Sequence, residues 1–261
     1  MIRRGLTISI VLTISAAAAP VLAQTPEADI ATAHAAFDRG DYATALRLFR
    51  PLAEGGNPYA QLDLGIMYEI GHGVPQDYAQ AASWYRKAAD QGVAQAQTHL
   101  GYLCESGHGV PQDYAQAAGW YRKAADQGDA TAQLDLGVMY ADGRGVPQDY
   151  AQAVSSFRKA ADQGDADAQA YLGMMYTIGH GVPQDYAQAA SWFRKAADQG
   201  DATAQLDLGV MYEIGHGVPQ DYAQAAGWYR KAADQGNAAA QSNLGSLYES
   251  GKGVPDRKSV V

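Results

Sequence analysis

The chain has 261 residues, 47% of them hydrophobic and 18% charged, with a formal charge of −9 and a single cysteine, Cys104. An acidic surface repels nucleic-acid phosphates and anionic lipid headgroups, which excludes both as expected partners. A lone cysteine excludes any disulfide within the chain.

Arg3 and Arg4 precede an apolar or small run from Leu6 to Ala19, and Pro20-Val-Leu-Ala23 ends in small residues before Gln24. That order is the order of a secretory signal, residues 1–23, cut after Ala23. The competing reading, a retained anchor, asks for a run of about 20 apolar residues. Without residues 1–23 the chain holds 17 basic against 28 acidic residues, a formal charge of −11. The expected location is therefore the periplasm or the medium, with no stable membrane insertion after cleavage. Residues 24–29 read as a flexible lead-in. A helical pattern starts at Ile30, Gly40 interrupts it, and Tyr42 lies 36 residues before Tyr78. Residues 30–56 are thus a divergent first repeat, as the terminal units of stacked arrays are.

From Gly71 the stretch Gly-His-Gly-Val-Pro-Gln-Asp-Tyr-Ala-Gln-Ala-Ala-Ser-Trp-Tyr-Arg-Lys-Ala-Ala-Asp-Gln-Gly92 returns, nearly unchanged, from Gly107, Gly143, Gly179 and Gly215. A fixed period of 36 residues marks a repeat array, with units at 57–92, 93–128, 129–164, 165–200 and 201–236. In each unit Asn57 or its counterparts Asp129, Asp165, Asp201 and Asn237 cap a first helix, A, which Gly71 ends. Val93 is the exception in that column. Asp77 caps a second helix, B, with Gln80 placed for a capping box. Both helices are too short to persist alone in water and must bury a face. Ala60, Leu64, Met67 and Tyr68 form that stripe on helix A, and Tyr78, Ala81, Tyr85, Ala88 and Ala89 the stripe on helix B. Gly65 recurs inside helix A despite its poor propensity, which predicts close approach of a helix B aromatic. Trp84, Trp120, Trp192 and Trp228 share a column, read as inter-repeat packing against the alternative of a ligand platform. Residues 237–261 hold another helix A and then stop. Truncation, a frayed cap and pairing with a second copy all fit that ending.

The run Ala-x-x-x-Leu-Gly-x-x-Tyr-x-x-Gly from Ala60 to Gly71, then Gly-Val-Pro-x-Asp-Tyr-x-x-Ala and Trp-Tyr-x-Lys-Ala-Ala, resembles the Sel-1-like repeat family. The resemblance implies an all-α, right-handed superhelical solenoid of antiparallel helix pairs, used mainly as an adaptor for other proteins. It also implies that the A helices line a concave wall. Some exported, cysteine-rich members are linked to penicillin binding or β-lactam hydrolysis; with Cys104 alone, this chain departs from that branch.

No cofactor or metal pattern emerges. His72, His108, His180 and His216 share a loop column with Arg144 and Lys252, but repeat spacing holds them at least about 8–10 Å apart. One zinc ion needs ligands near 2 Å, so the column reads as a solvated ridge. Ser156-x-x-Lys159 matches a fragment of the penicillin-recognising signature without its partner motifs, and the Lys belongs to the repeat itself. No catalytic residue is assigned. Cys104, in a column otherwise occupied by Tyr, reads as a small buried residue rather than a reactive thiol.

What varies between copies is one side of helix A, at the columns of Tyr59, Leu62, Asp63, Ile66, Glu69 and Ile70. Their spacing puts them on the face opposite the constant stripe. The candidate protein-binding residues there are Tyr59, Asp63, Ile66, Glu69, His99, Tyr102, Asp135, Tyr171, Met174, Asp207 and Glu213. Their carboxylates predict a protein or peptide partner of basic character. Unconstrained exposed positions would vary in the same way, and a spacer without a partner is the matching alternative.

Overall fold

A computed structural model describes residues 26–253; the signal reading of residues 1–23 and the end of the chain after Gly253 lie outside the described residues. The unit at 57–92 shows how local chemistry sets the fold. The Asn57 side chain accepts hydrogen bonds from the N–H groups of Tyr59 and Ala60, opening helix α3 (Pro58–Ile70). At its end Gly71 takes φ 77°, and the N–H groups of Gly71 and His72 both donate to the Met67 carbonyl. Only glycine reaches that left-handed geometry without strain. The chain then folds back, the Asp77 N–H donates to the Tyr68 carbonyl at 2.9 Å, and the Asp77 carboxylate caps helix α4 (Tyr78–Asp90). The capping box is thus only half formed. Gln80 gives its backbone N–H to Asp77, while the Asp77 N–H is already occupied by Tyr68.

The pair recurs as α5 (Ala94–Ser106) with α6 (Tyr114–Asp126), and as α7 (Ala130–Asp142) with α8 (Tyr150–Asp162). It continues as α9 (Ala166–Ile178) with α10 (Tyr186–Asp198), and α11 (Ala202–Ile214) with α12 (Tyr222–Asp234). Ahead stand α1 (Pro26–Asp38) and α2 (Tyr42–Glu54), and behind stands α13 (Ala238–Ser250). The described residues therefore hold thirteen helices and no strand, an all-α solenoid. Helix α1 starts at Pro26, inside the stretch read as a lead-in. The residues ahead of Ile30 lack apolar periodicity, but Glu and Ala favour helix intrinsically.

Each A helix packs on the B helix of its own unit, and that B helix on the next A helix. Ala60, Leu64 and Met67 are fully enclosed, as are Ala81, Tyr85 and Ala88. Burying one such large side chain stabilises the fold by about 1.5–3 kcal/mol. Gly65 sits flat on the Tyr85 ring, where an added Cβ would lie 2.5 Å from Cε1; Gly137 meets Phe157 and Gly173 meets Phe193 in the same way. Leu62, expected on the variable face, is buried in the core instead, because that edge of α3 turns towards the next unit.

Joints between units are polar as well as apolar. The buried Gln97 amide donates to the Ala89 carbonyl of the preceding B helix at 3.0 Å, and accepts from Gln127 at 2.8 Å. Gln133 with Gln163, Gln169 with Gln199, and Gln205 with Gln235 repeat this relay. The histidine column is solvated, with His108, His180 and His216 exposed, but it also packs on aromatic rings. His72 stacks on Tyr42 at 4.1 Å and His108 on Tyr78 at 5.0 Å, while Arg144 and Lys252 place cations over Tyr114 and Tyr222. Each loop presses on the start of the preceding B helix, which is why the column finds an aromatic partner. Arg122, Arg158 and Arg230 donate to the hydroxyls of Tyr140, Tyr176 and Tyr248 across the next joint. Cys104 fills a Tyr place in that row; it is buried, and burial pushes its thiol pKa up against the opposing pull of Arg86.

Candidate functional site: a groove along the A helices

The variable faces of α3, α5, α7, α9 and α11 open into a succession of adjoining cavities. The first brings together Ile66, Glu69, His99, Tyr102 and Asp135 with Gln95, Thr98 and Thr131. The second joins Asp135 and Tyr171 to Glu105, Val138, Arg144 and Asp167. The third holds Tyr171, Met174 and Asp207 with Phe193, Asp167 and Asp201. The fourth continues from Met174, Phe193 and Asp207 to Val210, Met211, Ile214 and His216. Eight of the eleven sequence-predicted residues fall in this run. Tyr59 is 61% exposed outside it, and Asp63 is turned to His34 of α1 at 2.8 Å. Glu213 accepts from the Tyr229 hydroxyl at 2.6 Å.

The carboxylates differ in what already satisfies them. Burial raises the Asp63 pKa, and His34 works against that rise. Burial also disfavours ionised Glu69, yet hydrogen bonds from His99 and Tyr85 outweigh it and hold the group below its ordinary value. Glu105 is paired with Arg144 at 2.8 Å and accepts from Tyr121 at 2.9 Å. Asp135 is pushed up to about 7, first by burial and then by Glu105, Asp129 and Asp165. Asp207 is pushed up to about 6 by burial and by Asp201. Both are half-buried, and burial with like charge disfavours their ionised forms, although Tyr121 hydrogen-bonds to Asp135 and Arg144 lines the same cavity; a basic ligand would favour the ionised forms.

Sequence reading missed Phe193 and the carboxylates of Asp167 and Asp201. Phe193 belongs to the B helix core stripe, and nothing in that stripe announces that its ring also floors a cavity. A signal was nevertheless present in pairs of columns. Tyr85, Tyr121 and Tyr229 each face a glutamate, Glu69, Glu105 and Glu213. Where the ring is Phe157 or Phe193, those places hold Ala141 and Thr177. Ser156, of the penicillin-type fragment, is buried in α8 in the Trp column, while Lys159 is exposed. Trp192 and Trp228 of that column are buried, and Trp84 and Trp120 carry Lys87 and Lys123 ammonium groups 3.6 and 3.9 Å above their rings. The Trp column is therefore packing. No described helix is long and apolar enough to cross a membrane.

The Sel1 repeat sequence model matches residues 58–93, 94–129, 130–165, 166–201, 202–237 and 238–257. Among solved structures, the chain is similar to c5321, a protective antigen present in uropathogenic Escherichia coli strains displaying an SLR fold. The two are 41% identical over 87% of this chain and 50% of that one, with a TM-score of 0.83. It is also similar to a Sel1 repeat protein from Oxalobacter formigenes, at 35% identity over 88% of this chain and 93% of that one, TM-score 0.80. The chain spans half the length of the Escherichia coli protein. No curated protein matches it.

Proposed function

The chain belongs to the Sel1 repeat family, whose all-α solenoids generally serve as protein–protein scaffolds, and on that premise we propose that it is an exported, non-enzymatic adaptor holding a basic segment of another protein along its A helix groove. One observation carries the reading: adjoining cavities run from α3 to α11, and inside them lie the carboxylates of Asp135 and Asp207, whose charge burial and neighbouring carboxylates disfavour. Contacts spread over several units would add up, with exposed Tyr102 and half-buried Tyr171 as aromatic anchors. The arginine-and-lysine side of the partner would meet Asp135, Asp167 and Asp207, so binding weakens with salt. It also weakens with acid: as pH falls through about 7 and then about 6, Asp135 and Asp207 take up protons and the groove loses charge.

Affinity capture from the exported fraction, with the chain lacking residues 1–23 as bait, tests this. The expected result is a basic protein retained by the native bait, released by about 0.5 M salt, and lost with the Tyr102→Ala, Tyr171→Ala double variant. Equal recovery of the same proteins by both baits overturns the groove. Cell fractionation checks export separately: a product found only in the cytoplasm, with residues 1–23 intact, removes that part of the proposal.

A further inference from the structure

We propose that the niche between α9 and α11, floored by Phe193 and bounded by Asp207, is a binding site for an arginine side chain of the basic segment; this rests on the groove reading above. The array supplies its own controls, because the same level of every unit carries a B helix aromatic. Tyr85 is covered by the His99 ring at 4.8 Å and held by Glu69. Tyr121 and Tyr229 are held by Glu105 and Glu213. Phe157, which has no hydroxyl to hold, is covered by the Tyr171 ring at 4.8 Å and 5°. Phe193 departs from both patterns: Thr177 stands in the glutamate place and Asp207 in the place of the covering ring.

Two consequences follow in space. Thr177 turns its hydroxyl back to the Gly173 carbonyl at 2.8 Å, so it leaves the niche apolar on that side. The two cavities that meet there share Met174, Phe193 and Asp207. Met174 is 39% exposed and Ile214 49%, a cost to the free surface that an aliphatic stem would relieve. Asp167 and Asp201 reinforce the negative charge, and the basic group among the lining residues, His216, lies against the Tyr186 ring at 4.7 Å.

The ligand chemistry follows from the walls. An apolar channel suits a three-methylene stem, a ring face suits a planar cation, and one carboxylate accepts two parallel N–H donors. A guanidinium meets all three demands. An ammonium is a compact, strongly hydrated point charge that does not stack as a plane.

Methyl-labelled methionine provides the test, since Met174 and Met211 line the niche while Met67 and Met139 lie buried in other units. The full chain is titrated with acetyl-Gly-Arg-Gly-amide and with its citrulline counterpart, which keeps the shape and removes the charge. The expected result is a saturable shift of the Met174 and Met211 methyl signals with arginine, none at Met67 or Met139, and severalfold weaker binding of citrulline and of the lysine peptide. Asp207→Asn should abolish the shift. A second variant, Thr177→Glu with Phe193→Tyr, installs the glutamate–tyrosine pair that three other units already contain, so it should keep its melting temperature and still lose the shift. An equal response to citrulline, a response that survives the pair variant, or no saturable response overturns the site. The larger reading fails differently. If only the arginine niche is wrong, the pair variant still captures the basic protein and the tyrosine variant does not; if the groove is wrong, both capture it.

Discussion

At the scale of the residue, the array compares one side chain in several settings. Gly173 and Gly119 both lie inside helices, yet an added Cβ at Gly173 would sit 2.6 Å from the Phe193 ring, whereas Gly119 has nothing within 4 Å. Gly173→Ala should therefore destabilise by about 1–3 kcal/mol through overpacking, and Gly119→Ala should stabilise by up to about 1 kcal/mol through helix propensity. Urea denaturation of the two variants checks the opposite signs. Asp135 gives a pH-dependent case. Its folded-state pKa is raised from 3.8 to about 7, so the native state binds the proton more tightly than the unfolded chain. Its contribution is then favourable below about pH 4, declines between 4 and 7, and is a fixed penalty above 7. Asp135→Asn should leave stability at pH 4 unchanged and raise it at pH 8 by on the order of 1–2 kcal/mol, since partial solvent access reduces the full shift. Thermal denaturation at the two pH values reads this directly. The tight approach at Gly65 was legible in the sequence because an unfavourable residue in a helix asks for a compensating contact. The niche at Phe193 was not, because a core ring and a cavity floor carry the same letter.

At the scale of the element, boundaries followed from caps and failed where caps were absent or composite. Asn57, Asp77 and the terminating glycines fixed α3 and α4 in advance, while residues 26–29 of the lead-in offered no period and are helical. α5 follows Val93, which provides no side-chain cap. Its first amides should exchange faster than those of α7, which Asp129 caps, and Asp165→Ala at the start of α9 should cost about 1 kcal/mol. The hydroxyl–carboxylate pairs can be apportioned in the same way. A double-mutant cycle of Tyr229→Phe and Glu213→Thr should show a coupling of about 0.5–1.5 kcal/mol, with the double variant better than the sum of its parts. Zero coupling would mean that the pairing of these columns across the array has another origin.

At the scale of the whole molecule, each unit touches chiefly the units beside it, so stability is nearly a sum over units and joints. Removing residues 129–164 rejoins α6 to α9 in the same register as every other joint. The shortened chain should fold and keep its helical signature, and its denaturant m-value should fall in proportion to the surface lost. Loss of cooperative unfolding would show that a joint depends on more than its neighbours. The period alone foretold this architecture. The exposure of the histidine column was legible from its place in the loops, whereas the tyrosine lying beneath each loop was not, because it belongs to the preceding unit.

The glutamine relay has a direction. Each buried carboxamide hands its hydrogen back towards the N terminus and receives one from ahead, so the thread through the joints reads differently from its two ends. Turning one unit end for end would set carbonyl oxygen against carbonyl oxygen, and the thread would break there. Such a rod can be lengthened only by copies laid in the same sense, which makes tandem duplication of its coding segment the natural way for it to grow.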